Sequence, residues 1–372
     1  MRIGLTYTAR DSVRPITGNT AGSIGEVNGS VPLSTQVRDD AEEEFDSPET
    51  IEAIADALKW MGHSVELLGD GVSLVRRLLV EERPEFVFNI AEGRGLSRSR
   101  EAWAPAVLEM FDVPYTGSDP LTLAATLDKI CAKRLVHEAG VTVPAGVLVD
   151  HWPYEYSAQL AALALPVIVK PAFEGSSKGI NNKSVVDDHA MLQEVVAQCR
   201  ADYCQPVLIE QFIDGDELTV GVIGNSPPEV MGIMRVVPMV SRDRFVYGLD
   251  VKRDWRRQVQ YEIPAQLSPV SKEAVRASAL TAFRALGCRD VARLDFRVAD
   301  GIPYFLEANP LPGLAPGSGD LVLLAEGMGI GYRELIARIL DAALARNRSE
   351  RDFRSGNNGQ SSSLAAGVLN AT

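Results

Sequence analysis

Two strand-length runs, Val291-Ala-Arg-Leu-Asp-Phe-Arg-Val298 and Ile302-Pro-Tyr-Phe-Leu-Glu-Ala-Asn309, flank Ala299-Asp300-Gly301, and the arrangement reads as a β-hairpin. Side chains alternate across a strand, so Arg293 and Asp295 share one face, as do Glu307 and Asn309. Whether the two pairs meet depends on the turn. A two-residue Asp300-Gly301 turn pairs Ala299 with Ile302 and puts Asp295 and Glu307 on opposite faces. A three-residue loop with a left-handed Gly301 pairs Val298 with Ile302, sets Arg293 opposite Glu307 and keeps Asp295 on the same face. If these residues form one site, the sequence predicts the three-residue loop. Such a site would offer hard oxygen ligands to magnesium and a guanidinium to phosphate oxygens. The competing reading is a surface hairpin with alternating charges.

Upstream, strands and helices alternate. Ile3–Tyr7 reads as a buried strand, followed by a long polar stretch to about residue 46 that ends in a run of acids and is either a functional lid or disordered. Ser47-Pro48 then caps a helix to about Met61, with Ile51, Ile54, Ala55 and Leu58 on one face and Gly62 as its stop. Val65–Leu68, a helix over 72–81 and the apolar Phe86–Ile90 complete a doubly wound α/β pattern. No Gly-x-Gly-x-x-Gly turn follows the first strand, which excludes a dinucleotide site of the dehydrogenase kind.

From about Pro120 the pattern changes. A helix holds Asp128, Lys129 and Lys133, and the strand Pro166–Lys170 runs into the loop Glu174-Gly-Ser-Ser-Lys-Gly179. Lys170 ends an otherwise apolar strand, where an ammonium is costly without an anion. The loop can present several N–H groups to phosphates, although it does not match a P-loop and alone reads as an ordinary loop. Further strands are expected at Val207–Glu210 and Glu217–Ile223, and helices at 270–286, between Ser268-Pro269 and Gly287, and at 331–346.

Composition narrows the partners. A chain of 372 residues is long for one core and suggests two or three modules. Its formal net charge of −13 argues against nucleic acid or an anionic membrane, yet local lysines and a divalent cation still allow a nucleotide. No apolar stretch approaches the roughly 18 residues that span a bilayer. The four cysteines have no metal-ligand spacing and read as reduced thiols, and with no signal segment visible the expected setting is cytoplasmic.

In this order the pieces resemble the D-alanine–D-alanine ligase branch of the ATP-grasp superfamily over about residues 47–346. The matching stretches are Val113-Pro-Tyr-Thr-Gly-Ser118, Leu127-Asp-Lys129, Val167-Ile-Val-Lys-Pro171 with Glu174-Gly-Ser-Ser, and Leu208-Ile-Glu-Gln-Phe-Ile213 through Glu217. Ala292-Arg-Leu-Asp295 and Leu306-Glu-Ala-Asn-Pro-Leu-Pro-Gly313, ending at Ser318, complete the set. The resemblance implies an α/β ATP-grasp fold, with a doubly wound N-terminal domain and two α+β subdomains that sandwich ATP. The boundaries expected are 1–120 for the N-terminal domain with a flexible loop at about 10–46, 121–214 for the central subdomain, 215–347 for the C-terminal one, and a disordered tail from 348 to 372.

Carried over by position, Lys129 and Lys170 are implied to contact phosphates, while Glu174, Ser176 and Ser177 lie in the loop that closes over ATP. Glu210, Gln211, Phe212 and Ile213 would hold adenine, Glu217 the ribose, and Leu306 would pack under the base. Lys252 would reach the phosphates from a mobile loop at 240–260. Asp295, Glu307 and Asn309 are implied to bind magnesium, as two ions replaceable by manganese. Arg293 would stabilise an acyl phosphate, with Ser176 and Lys252 beside it in the catalytic set. Glu92, Arg293, Gly313 and Ser318 would receive the substrates.

The implied reaction is ATP-dependent joining of a carboxylate to an amine through an acyl phosphate, in a homodimer formed through the N-terminal domain. Three departures bear on the substrate, the first being that the family's Glu-x-Ser near its first helix has only a loose counterpart in Glu44-Phe-Asp-Ser47. Where the family has a His-Gly … Gly-Glu-Asp-Gly stretch, this chain has Asn89-Ile-Ala-Glu-Gly-Arg-Gly-Leu-Ser-Arg-Ser-Arg100; its Lys-Tyr pair is here Lys252-Arg253. If Arg94, Arg98 and Arg100 face the pocket, they favour a carboxylic acid with an extra anionic group over D-alanine. Authentic D-alanine–D-alanine ligation is the alternative expectation, and a non-catalytic ATP sensor a third.

Overall fold

The computed structural model describes residues 1–10, 38–80, 82–151, 158–240 and 244–367. Three sheets organise it. In the first, β1 (Arg2–Thr6) lies between β2 (Ser64–Leu67) and β3 (Phe86–Asn89), all parallel. Helices α1 (Pro48–Trp60), α2 (Gly71–Val80) and α3 (Trp103–Met110) connect and cover these strands. Ser47 caps α1 by accepting the Thr50 N–H, Pro48 opens the helix, and Ile51, Ile54, Ala55 and Leu58 are buried, as their spacing predicts.

The central part begins with α4 (Pro120–Leu127) and α5 (Lys129–Glu138), joined at Asp128, whose carboxylate accepts from the N–H groups of Ile130 and Cys131. Its antiparallel sheet has the order β4-β7-β5-β6, from β4 (Gly146–Val149), β5 (Val167–Pro171), β6 (Val185–Val186) and β7 (Val207–Gln211). Helices α6 (Ala158–Ala161) and α7 (His189–Tyr203) accompany it.

The third sheet has the order β10-β9-β8-β11-β12, from β8 (Asp216–Ile223), β9 (Glu229–Pro238), β10 (Val259–Glu262), β11 (Val291–Ala299) and β12 (Ile302–Asn309). The short α8 (Leu249–Arg253) and α9 (Trp255–Gln258) precede β10, and α10 (Pro269–Ala285) packs under the sheet. Val275, Ala279 and Phe283 of α10 meet Leu218, Leu294, Phe296 and Phe305 in one core, where the last two rings sit edge to face at 5.8 Å. Every second residue of β11 is thereby committed to the core, and Arg293, Asp295 and Arg297 go to the other face. Helices α11 (Asp320–Gly327) and α12 (Tyr332–Gly367) return to the N-terminal sheet, where Leu321, Leu335 and Ile339 share a core with Ile3, Leu5 and Phe88.

Three expectations are corrected. The turn between β11 and β12 is the two-residue Asp300-Gly301, both at positive φ, and Ala299 pairs with Ile302. By simple alternation Asp295 and Glu307 would then lie on opposite faces. A register shift undoes this: Phe296 pairs with Phe305 but Asp295 pairs with Glu307, so Leu306 is an extra residue on β12. Arg293 consequently faces Asn309 rather than Glu307.

The second correction concerns the tail. Helix α12 continues to Gly367, since no proline follows Pro316 and Glu334–Arg338 and Arg346–Glu350 pair one turn apart; residues 368–372 lie outside the described chain. The third concerns the loop. Residues 11–37 also lie outside it, but 38–46 is held in place: the Asp46 N–H donates to Thr8 O at 2.8 Å, and Arg38 donates to Asp202 O at 2.7 Å.

Candidate active site

Two adjoining cavities lie between the central and third sheets, and Tyr247, Lys252 and Glu307 line both. The smaller, of about 80 Å³, is bounded by Ile168 and Lys170 on β5, Glu210–Ile213 at the end of β7, Glu217, and the bulged Leu306. The larger, of about 320 Å³, reaches towards the N-terminal domain and takes in Glu92, Lys129, Ser176, Arg293, Asn309, Gly313 and Ser318.

Each charged group in the smaller cavity has a partner. Lys170 Nζ bonds Glu210 Oε1, and Lys133 Nζ lies 3.2 Å from Glu210 Oε2. Glu210 is the anion that the buried end of β5 requires. Burial raises its carboxyl, but Lys133 and Lys170 outweigh this and hold it below the ordinary value. Burial pushes Lys133 down to about 8, against the pull of Glu210. Arg297 pairs with Glu217 at 2.6 Å across the strands and donates to the Ile213 carbonyl at 2.9 Å, which fixes the segment after β7.

At the junction of the cavities, Arg293 donates to Asp295 Oδ2 at 2.8 Å and to Asp320 Oδ2 at 3.0 Å. Lys129 Nζ reaches Glu307 Oε2 at 2.6 Å, and Thr219 Oγ1 donates to Asp295 Oδ1 at 3.0 Å. Burial raises the Glu307 carboxyl, yet Lys129, Arg293 and Lys252 together hold it well below the carboxylate range. Asp295 is pushed up to about 6 by burial, which the guanidinium of Arg293 does not fully offset. One hairpin thus presents two carboxylates and an amide on a single face, with cations from α5, α8 and β11 beside them.

The Gly/Ser loop closes the site on the central side. Ser176 and Ser177 have φ values of 49° and 58°, and Ser177 Oγ donates to Tyr247 O at 3.2 Å. Such backbone strain persists where surrounding contacts over-determine it. Those contacts come from Glu44, which accepts from Gly175 N at 2.6 Å, Lys178 Nζ at 2.6 Å and Arg100 Nη2 at 2.9 Å. A Cβ on Gly175 would lie 2.5 Å from Glu44 Oε1, so a side chain there would displace the Glu44 carboxylate. Glu174 lines the larger cavity, but its carboxylate is engaged by Lys178 and, at 2.7 Å, by Gln205. It anchors the loop from beneath.

The arginines of the 94–100 stretch do not line either cavity. Arg100 is buried on Glu44 and donates to Phe173 O at 2.8 Å; Arg98 lies 3.5 Å from Asp128, and Arg94 lies 3.7 Å from Asp70. The basis for an extra anionic group on the substrate is thereby removed. Arg253, in the position of the missing tyrosine, instead binds Asp39 and, at 2.9 Å, Glu43.

Sequence reasoning missed Asp320, Tyr247, Arg297 and the partners of Glu44. Arg297 was accessible, because it shares the alternation of Arg293 and Asp295. Asp320 opens α11, accepts from Tyr247 Oη at 3.2 Å and lies 3.8 Å from Lys252; nothing in its local sequence signals this.

A family model described as the D-ala D-ala ligase C-terminus matches residues 136–341. A D-alanine–D-alanine ligase of Xanthomonas axonopodis pv. citri is 34% identical over 296 residues, covering 78% of this chain and 88% of that protein. An uncharacterized protein, y4sG of Sinorhizobium fredii, is 35% identical over 258 residues, 69% of this chain and 74% of its own length. Among solved structures, D-alanine–D-alanine ligase from Bacillus anthracis complexed with ATP superposes with a TM-score of 0.68 at 22% identity, covering 94% of this chain and 99% of that one. The fold, the order of the motifs and these relatives agree: the chain belongs to the D-alanine–D-alanine ligase family of ATP-grasp, ADP-forming ligases.

Proposed function

We propose that this ligase joins two molecules of D-alanine, using ATP and magnesium, through an acyl phosphate. The observation that carries the reading is the junction of the cavities, where Arg293, Lys129, Asp295 and Glu307 converge between a pocket shaped for a base and one open to a small substrate. The ligase relatives support D-alanine over another carboxylic acid, and the pairing of Arg94, Arg98 and Arg100 leaves the competing preference without support.

In this reading adenine lies in the smaller cavity against Leu306 and the Gln211–Ile213 segment, with Glu217 at the ribose and Lys170 at the phosphates. The carboxylates of Asp295 and Glu307 and the Asn309 amide are hard oxygen donors on one face, and this donor set fits magnesium. When bound, the ion supplies charge neutralisation to the phosphate oxygens. The residues of the chain do the rest. Lys129 and Arg293 orient the γ-phosphate so that a carboxylate oxygen of the first D-alanine attacks phosphorus and ADP leaves. The second D-alanine, its carboxylate at Ser318, gives one ammonium proton to solvent and attacks the acyl carbon through the freed amine, whose next proton leaves with the phosphate. Arg293 stabilises the developing oxyanion, and phosphate departs as the peptide bond forms. The Gly175–Ser177 loop and α8 exclude the water that would hydrolyse the intermediate. The same reading carries a cytoplasmic setting and a homodimer through the N-terminal domain; no helix among the described residues is long and apolar enough to cross a membrane.

The test is the purified protein with ATP, magnesium and D-alanine alone. The expected result is one ADP released per D-alanyl-D-alanine formed, identified by mass spectrometry. Turnover restricted to some other carboxylate would overturn the substrate assignment.

A further inference from the structure

Three neighbouring aromatic rings, Tyr247, Trp255 and Tyr261, line one side of the larger cavity, which Ser318 and Asp320 also line. The Trp255 ring lies 5.1 Å from that of Tyr261. Tyr261 meets Tyr247 edge to face at 6.4 Å, with the two hydroxyls 2.6 Å apart. Tyr247 Oη donates to Asp320 Oδ1 at 3.2 Å, and Asp320 in turn holds Arg293 at 3.0 Å. Arg256 braces the other end. Its guanidinium stands 4.4 Å over the Trp255 ring, and its Nη2 donates to Gly317 O at 3.5 Å, next to Ser318. The turn that carries Ser318 is itself compact, because a Cβ on Gly319 would lie 2.4 Å from the Gly313 carbonyl oxygen. A braced wall of rings therefore runs from α9, beside the Ser318 turn, to the side chain that holds Arg293.

Trp255 is the outermost member of that wall. Its indole Nε1 is buried and has no hydrogen-bond partner among the described residues. A buried donor left unpaired is destabilising, so no hydrogen bond accounts for an indole here, and what remains is the bulk of a stiff, flat ring. Such a ring, held between Arg256 and Tyr261 beside the Ser318 turn, restricts the side chain of any amino acid that places its carboxylate at Ser318. We infer that Trp255 sets the size limit of the acyl acceptor and confines it to small amino acids such as glycine, alanine and serine. This rests on the proposed ligation, with Ser318 as the site of the acceptor's carboxylate, but not on D-alanine as the particular donor.

The experiment uses full-length protein with ATP and magnesium. Hydroxylamine as acceptor first ranks donors by hydroxamate formation, and the best donor is then held at saturation. Glycine, D-alanine, D-serine, D-valine and D-phenylalanine are compared as acceptors, and tandem mass spectrometry of each dipeptide reads which residue is C-terminal. Wild-type protein is expected to use the first three well and the last two poorly. Trp255→Ala is expected to raise kcat/KM for D-valine and D-phenylalanine, relative to D-alanine, by about 10- to 100-fold, the scale on which a pocket senses added methylenes. Trp255→Phe keeps a ring and drops the unpaired N–H, so its ratios should stay within about threefold of the wild type. The donor ranking with hydroxylamine should not change in either variant. If the alanine variant does not fold, Trp255→Leu reads the same ratios. Unaltered ratios in the enlarged variants, or a wild type indifferent to acceptor size, would overturn the assignment. So would Trp255→Phe relaxing the ratios as far as Trp255→Ala, because the N–H and not the bulk would then be sensed. A relaxed donor ranking would place Trp255 at the other substrate and overturn it too. Hydroxamate from no donor at all would instead remove the ligation on which this role depends.

Discussion

Replacing Arg293 by alanine is expected to lower kcat by about 10³-fold, with a much smaller change in the KM for ATP. The guanidinium bonds Asp295 and Asp320 and stands at the junction of the cavities, away from the smaller cavity proposed for adenine, so its loss should remove stabilisation of the reacting atoms rather than of the base. The same change leaves Asp295, Asp320 and Glu307 short of a counter-ion and should also lower stability. Arg293→Lys separates the two effects. A lysine restores the charge but cannot reproduce the two-pronged contact, so it should recover much of the unfolding midpoint and little of the rate. Steady-state kinetics beside thermal unfolding reads both; a kcat within about tenfold of the parent would remove Arg293 from the reaction.

The second large effect is expected at Glu44. It is the shared anion of Arg100 and Lys178 and accepts the Gly175 N–H, tying the 38–46 segment, the 94–100 stretch and the Gly/Ser loop together. Glu44→Ala leaves two buried cations with Glu174 as their remaining ion-pair partner among the described residues, and should destabilise by about 3 kcal/mol in chemical denaturation. The loop should also loosen, so that more ATP is hydrolysed per dipeptide made. Burial raises the Glu44 carboxyl, but Arg100 and Lys178 bring it below the ordinary value of 4.5. A depressed carboxyl gives its stabilisation in full above that value and loses it as pH falls through the folded-state pKa. The difference between parent and variant should therefore shrink in acid. Equal midpoints and equal coupling would show that the contact carries no load in solution.

What the sequence revealed and what it concealed divide along chain separation. The caps were legible because a cap is local: Ser47-Pro48 opens α1, and Ser268-Pro269 with Gly287 brackets α10. The hairpin was legible, but its register was not. Alternation demanded a three-residue loop, and the structure brought Asp295 and Glu307 to one face instead with a two-residue turn and an extra Leu306, in a different register. Two compensating irregularities leave no trace in a pattern of period two. Arg100 read as a free cation because its partner, Glu44, is 56 residues earlier in an acidic run of unremarkable appearance. Glu44 itself meets Lys178 over 134 residues, and that contact exists only once the domains are assembled.

The most direct test of the central claim follows the oxygen atoms of the donor. D-alanine labelled with ¹⁸O in its carboxylate is turned over with ATP and magnesium, and the released phosphate is analysed by mass spectrometry. Attack of the carboxylate on the γ-phosphorus predicts one labelled oxygen transferred to phosphate for each D-alanyl-D-alanine formed. Dipeptide formed with unlabelled phosphate would contradict the acyl-phosphate route and the role given to Arg293.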